Sequence, residues 1–382
     1  PRKIRPVVNR MIEKLPAEAS IRKVLDLYTG YCRKEELATV IKTLAVQHIG
    51  KAIPDQELHE RLLVALGITW DDLEEKLREV SYDSLSSFED SEKWFRDYFC
   101  VYRRERLSPS LERFSEFSQA FSEYIINNAF AILEDRQRSL LKVRDSIKLY
   151  ASEGVKILVY VIDSCGGEWF EFMRSQFSRT NKVIESDLLF ASLPTTTAIN
   201  KTRILGEAQK KDESPQSTIA RTYGVPKTSY MNSDNGALDS LLAEDSDLSV
   251  YWDLNLDRKI HSRSSGEIND YLEEIEIIHE ISSKILEASK WFDGVIIILA
   301  DHGHTVFKGN VVPYSEGEVD HGGRILITRE ESLYSSDDFL VFESEKSDEV
   351  SKYVISKSYD CFSSPRSRSV HGGASPEEVM IP

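Results

Sequence analysis

Along the first 150 residues or so, apolar positions recur at helical spacing, and from Val155 onward they gather into short continuous runs separated by amphipathic stretches. The first pattern runs through VLDLYTGYC, ELHERLLVALGI, WDDLEEKLREV and FSEYIINNAFAILEDRQRSLLKVRDSIKLYA, with little β-branched alternation, and predicts helices. Turn residues break it at Lys14 to Glu18, Ile53 to Asp55, Ser84 to Glu89 and Ser108 to Ser110. The second pattern reads as strands alternating with helices. VKILVYVID is a buried strand and GGEWFEFMRSQF the helix after it. KVIESDLLFASLP and SVYWDLNL carry further strands, NDYLEEIEIIHEISSKILEASKWF is a long helix, and DGVIIILADHG is the most apolar strand of the chain. Such alternation predicts a doubly wound, mostly parallel α/β sheet flanked by helices over residues 151–382, preceded by an α-helical domain over residues 1–150. The helical half reads as a scaffold or a module for partner proteins. Residues 207–247 are polar, without a sustained period and too long for a simple connection, which predicts an insertion: a surface loop or a lid over a site.

A length of 382 residues allows two or three domains, or one large α/β domain with an appendage. A formal charge of −16 argues against nucleic-acid binding by the whole surface, because phosphate affinity is built on clustered Lys and Arg. Local basic stretches remain at PRKIRPVVNR, at RRERL and at Lys201 to Arg203. Cys32, Cys100, Cys165 and Cys361 lack metal-type spacing, so reduced thiols and a cytoplasmic location are expected. No apolar run reaches the roughly 18 residues of a membrane span. The chain opens at Pro1 and stops at Pro382, straight after EEVMI, which reads as a strand, as a piece of a longer protein would.

Chemistry-bearing residues stand at the predicted strand ends, where open α/β sheets bind their ligands. They are Asp163 after VI, Thr195 to Thr197 after LP, Asp257 and His261 in NLDRKIH, Asp301 and His302 in LADHGH, and His371 in VHGGASPEEVMIP. A lone strand-end Asp also serves as a helix cap, and a lone D-x-x-x-H also serves as a surface ion pair. An Asp-His pair after a run of aliphatics is harder to explain by packing. Asp257 and His261 share one helix face. Of the threonines, one serves as a cap and one, bound to a metal, as a nucleophile that needs no separate base.

The order Asp163, P-x-x-T into a helix, D-x-x-x-H, D-H-G after a hydrophobic strand, then H-G-G-x-S-x-x-E-x-x-x-P resembles the PglZ domain of the alkaline phosphatase superfamily, over roughly residues 155–382. The resemblance implies an alkaline phosphatase-like fold and a two-metal centre, with zinc as the ion. Asp163, Thr197, Asp301 and His302 then resemble the site that holds the nucleophile. Asp257, His261 and His371 resemble the site on the leaving-group side. Lys201, Arg203, His321 and Arg324 are assigned to substrate contact. Three features depart from the pattern: Ser164 stands where the family often has Gly, Thr196 competes with Thr197 as nucleophile, and His321 in a second HGG competes with His371. His304 is expected beside the ligands or at the surface. The implied activity is hydrolysis of a phosphodiester in nucleic acid or a nucleotide, in an antiphage defence complex whose protein partners meet the helical half. Phosphomonoester hydrolysis, or a non-catalytic scaffold that keeps the fold, are the alternatives.

Overall fold

The computed structural model describes residues 87–95, most of 121–177, 184–210, 212–262, 268–306, 310–320, 322–329, 334, 339–343, 352–356, 359–365 and 369–382. Contacts divide the chain into two compact units, Pro1–Ser81 with Glu267–Glu280, and Tyr82–Gly266 with Ile281–Pro382; the described strands and the candidate site lie in the second. The helical reading of residues 1–86 and 96–120 falls outside the described residues. Described helices within the first 150 residues include Phe88–Trp94, Ala129–Glu134 and the start of α1 (Leu140–Ser152). Among the described residues no helix is long and apolar enough to cross a membrane.

After α1, β1 (Ile157–Ile162), α2 (Phe170–Phe177), β2 (Leu189–Phe190), α3 (Thr197–Leu205), α4 (Pro215–Tyr223), β3 (Thr228–Asn232), α5 (Leu238–Leu242), β4 (Leu248–Asp253), α6 (Asn255–His261), α7 (Ile268–Ala288) and β5 (Val295–Ala300) follow in order. A four-stranded, all-parallel sheet results, in the order β3-β4-β1-β5. Its register runs straight across, with Ile162 opposite both Asp253 and Ala300, so the residues that end β1, β4 and β5 arrive at one edge. All six side chains of β1 are at most 1% exposed. Such two-sided burial is what a run of six consecutive apolar residues predicts. The fold is therefore α/β with a parallel sheet flanked by helices, as the alternation implied. α1, which the sequence assigns to the helical half, packs against β1, α3 and α4.

The polar segment 207–247 differs from its expectation as an insertion, because it folds into α4, β3 and α5 and supplies an edge strand of the sheet. Its helix α4 is locally encoded: Ser214 caps it by accepting from the Ser217 N–H, Pro215 occupies the first turn, and Gly224 at φ +68° ends it.

Beyond β5 come β6 (Thr305–Val306), β7 (Glu318–Val319), β8 (Ile325–Thr328), β9 (Phe339–Glu343), β10 (Lys352–Ser356), β11 (Ser369–Val370), α8 (Pro376–Val379) and β12 (Met380–Ile381). β7, β8, β10 and β9 form a second, antiparallel sheet, which the strand and helix alternation did not foretell. Leu326, Val354 and Phe362 form its core. The stretch EEVMI divides: Glu377 to Val379 are helix, because S-P-E-E sets Pro376 at a helix start and lets Glu378 reach back to the Ser375 N–H at 3.0 Å, and only Met380 and Ile381 are strand. Two short antiparallel pairs position the end of the chain. β12 joins β2 through Met380 and Phe190, and β11 joins β6 through Val370 and Thr305, next to the D-H-G turn.

Candidate metal centre

Each strand end delivers one part of the site. β1 runs directly into Asp163, which is 2% exposed and whose Oδ2 accepts from Trp252 Nε1 at 2.9 Å. β5 runs into Asp301 and His302, both fully buried. β4 ends at Asp253, whose Oδ1 accepts from the Asn255 N–H at 3.0 Å and so starts α6. One turn of α6 then brings Asp257 Oδ1 and His261 Nε2 to 3.2 Å. The β6–β11 pair carries His371 to His302, where the rings stack with centroids 4.3 Å apart.

These residues make two groups, Asp163–Asp301–His302 and Asp257–His261–His371, each with donor atoms within 4.8 Å of one another and able to hold a metal ion. Within the second group His371 Nε2 lies 3.1 Å from His261 Nε2, and the two groups abut where the His371 ring lies on that of His302. Among the three threonines, Thr197 Oγ1 reaches the first group, 3.3 Å from Asp163 Oδ1 and 3.1 Å from His302 Nε2. Thr196 is the N-cap residue of α3, without a side-chain cap bond. Thr195 is fully buried and fastens the loop of the final motif: its Oγ1 donates to the Gly373 carbonyl at 2.8 Å and accepts from the Gly372 N–H at 3.0 Å.

The electrostatics are compatible with a cation. Burial, and then the charge of Asp301, push the Asp163 carboxyl well above the usual range. Burial, and then Asp257, push Asp301 up to about 7. Among the described residues its buried Oδ2 accepts no hydrogen bond. Asp257 behaves oppositely: burial raises it, but the His261 hydrogen bond and the charges of His371 and His261 outweigh burial and hold it low. The His261 imidazole is raised, chiefly by its hydrogen bond to Asp257.

Imidazole orientation agrees. His302 Nδ1 lies 2.9 Å from the Gly303 carbonyl and His371 Nδ1 lies 3.2 Å from that of Thr195. A carbonyl only accepts, so each Nδ1 carries a proton, and in the neutral imidazole each Nε2 turns a lone pair to the cluster. Such lone pairs, with two under-compensated carboxylates, fit a divalent ion, and the mixed Asp and His donors suit zinc.

The other expected residues scatter. Lys201, one turn from Thr197 on α3, donates to the Tyr230 hydroxyl at 2.7 Å and lies 5.3 Å from the Trp252 ring centroid. Arg203 lies in the last turn of α3. Arg324 corrects an expectation. It is fully buried, with Nη2 on Glu378 at 2.8 Å and Nη1 on the Asp360 carbonyl at 2.6 Å, and it braces the His371 loop in place of meeting a substrate. His321 lies outside the described residues. His304 is fully buried, not at the surface, and its Nδ1 donates to the Ser164 carbonyl at 2.9 Å.

Sequence reasoning passed over the bracing. Glu378 accepts from the Gly373 and Ser375 N–H groups at 2.9 and 3.0 Å as well as from Arg324. A Cβ at Gly373 would sit 1.9 Å from Arg324 Nη2, and one at Gly303 would sit 1.8 Å from the Glu377 carbonyl. The glycines of H-G-G and D-H-G therefore allow the loops to close on one another. The one available signal was the glutamate of S-x-x-E, which sequence alone did not tie to Arg324. No family model matches the chain, and no curated protein matches it.

Proposed function

We propose that this chain hydrolyses phosphate esters at a centre of two divalent ions, zinc by donor set. Asp163, Asp301 and His302 hold one ion with Thr197 beside it, and Asp257, His261 and His371 hold the other. The observation that carries this reading is the Thr197 hydroxyl, 3.1 Å from His302 Nε2 and 3.3 Å from Asp163 Oδ1, at the edge of two abutting three-ligand groups. When bound, the ions supply Lewis acidity, neutralising phosphate oxygens and lowering the pKa of a hydroxyl beside them.

The residues of the chain supply the rest. Thr197 is the nucleophile. It opens the nine-residue helix α3, whose first N–H groups favour an anion at that spot. Lys201 follows on the same face, steadied by Tyr230 and Trp252, and offers a cation to the phosphate. Trp252 keeps Asp163 oriented through its indole N–H. The resemblance supports a phosphodiester in nucleic acid or a nucleotide as substrate, and work within a defence complex.

The test is elemental analysis of the purified protein, followed by assays on bis(p-nitrophenyl) phosphate, p-nitrophenyl phosphate and single-stranded DNA before and after chelation. About two zinc ions per chain and chelator-sensitive diester hydrolysis are expected. Metal-free protein, inert on every substrate after added zinc, would remove the enzymatic reading.

A further inference from the structure

Ser164 stands at φ +65°, a left-handed conformation that side chains rarely adopt and that glycine takes without strain. The turn does not call for a side chain there. The Ser164 N–H donates to Asp301 Oδ1 at 3.3 Å and its carbonyl accepts from His304 Nδ1 at 2.9 Å, and glycine would supply both groups. What serine adds is a hydroxyl, which donates to Asp257 Oδ1 at 2.6 Å across 93 residues of sequence. One fully buried residue thus touches ligands of both groups, by its backbone on the strand-end side and by its side chain on the α6 side.

We propose that Ser164 is a positioning residue that sets Asp257, and with it the Asp257–His261–His371 group, in fixed relation to the Asp163–Asp301–His302 group. The assignment rests on the metal reading above. Hydrogen bonds to a ligating carboxylate fix which oxygen faces the ion, and losing one weakens metal binding by about ten- to a hundredfold. The hydroxyl also offsets the strain of its own backbone, which accounts for a serine at a position suited to glycine.

Co2+ titration of the full chain, read by visible absorption, tests this with Ser164→Gly and Ser164→Ala. Wild type should bind two ions. Ser164→Gly should bind the first as wild type does and the second about ten- to a hundredfold more weakly, while its melting temperature without metal stays equal or rises. Ser164→Ala should show the same loss of the second ion and a lower melting temperature. On a His371→Ala background, Ser164→Gly should leave the one remaining ion within about twofold, since both changes then act on the same lost group. A Ser164→Gly protein that holds both ions as tightly as wild type overturns the role of Ser164 alone. Wild type that binds no Co2+ overturns the metal reading and this assignment with it.

Discussion

The two ligand groups are anchored differently. Asp163, Asp301 and His302 extend the ends of two parallel strands, and their side chains are at most 2% exposed. Asp257 and His261 sit on a seven-residue helix with side chains 21% and 27% exposed, and His371 sits on a loop held by Thr195 and Glu378. Charge divides the groups in the same way. The inner group collects two carboxylates whose pKa values rise, while in the outer group Asp257 lies between two imidazoles that hold its pKa low. On the two-ion reading proposed above, the inner group, short of positive charge, should hold its ion more tightly than the outer group, whose carboxylate already has imidazole partners.

The comparison breaks first at the nucleophile. If Thr197 belongs to the inner group, Thr197→Ala should lower diester turnover on the order of 10⁴-fold or more while both ions remain bound. Thr196→Ala should stay within about threefold. Kinetics with metal content measured on the same samples would decide it, and a reversal of the two effects moves the nucleophile to Thr196.

Next in size is the brace under the outer group. Glu378→Ala leaves the Arg324 guanidinium fully buried without its carboxylate, which should cost about 3–5 kcal/mol in chemical denaturation. The double change Arg324→Met with Glu378→Met should recover much of that loss, because no buried charge is then left alone. In both variants the outer ion should suffer more than the inner one. Equal loss of the two would show that the brace supports the whole centre.

His371→Ala follows, and it sharpens the division directly. It should reduce the metal content from two ions to one and activity by about 10²-fold, with the inner ion kept. Two retained ions would remove His371 from the ligand set and favour His321.

How far the sequence reached follows the same division between strands and loops. β1, β4 and β5 were legible because each is a short, mainly apolar run, buried throughout in β1 and β4 and half-buried over the first four residues of β5, and Asp163, Asp301 and His302 were legible because nothing in such a terminus calls for them. β3 escaped: TSYMN is a half-exposed edge strand with no clear alternation, set in a polar segment. So did the antiparallel sheet, with strands of two to five residues. The braces escaped for another reason. Arg324 and Glu378 are 54 residues apart, Trp252 and Asp163 are 89 apart, and Thr195 and Gly373 are 178 apart, so no local pattern joins them. Arg324 looked like a substrate cation because its partner lay in a motif read for a histidine.

The smallest expected effect tests the charge balance itself, in protein stripped of metal. Asp301 has its pKa raised from 3.8 to about 7, and Asp163 is raised too. Between these limits the folded chain keeps protons that the unfolded chain has released, so stability falls as pH rises. His261, raised from 6.5, adds to the same trend: its contribution is present below 6.5 and lost as pH climbs through its folded value. Asp257 acts oppositely, but its contribution is already present above 3.8 and fades only as pH falls through its lower folded value. Metal-free protein should therefore lose stability from about pH 5 to pH 7.5, by on the order of 1 kcal/mol per pH unit in denaturant titrations. Saturating zinc should reverse the slope, because binding an ion requires the ligands to shed those protons. Asp301→Asn should flatten the metal-free slope, since an amide carries no charge to desolvate. A metal-free protein that gains stability over this window would mean that the inner carboxylates have a counter-charge of their own, and the contrast between the two groups would fail.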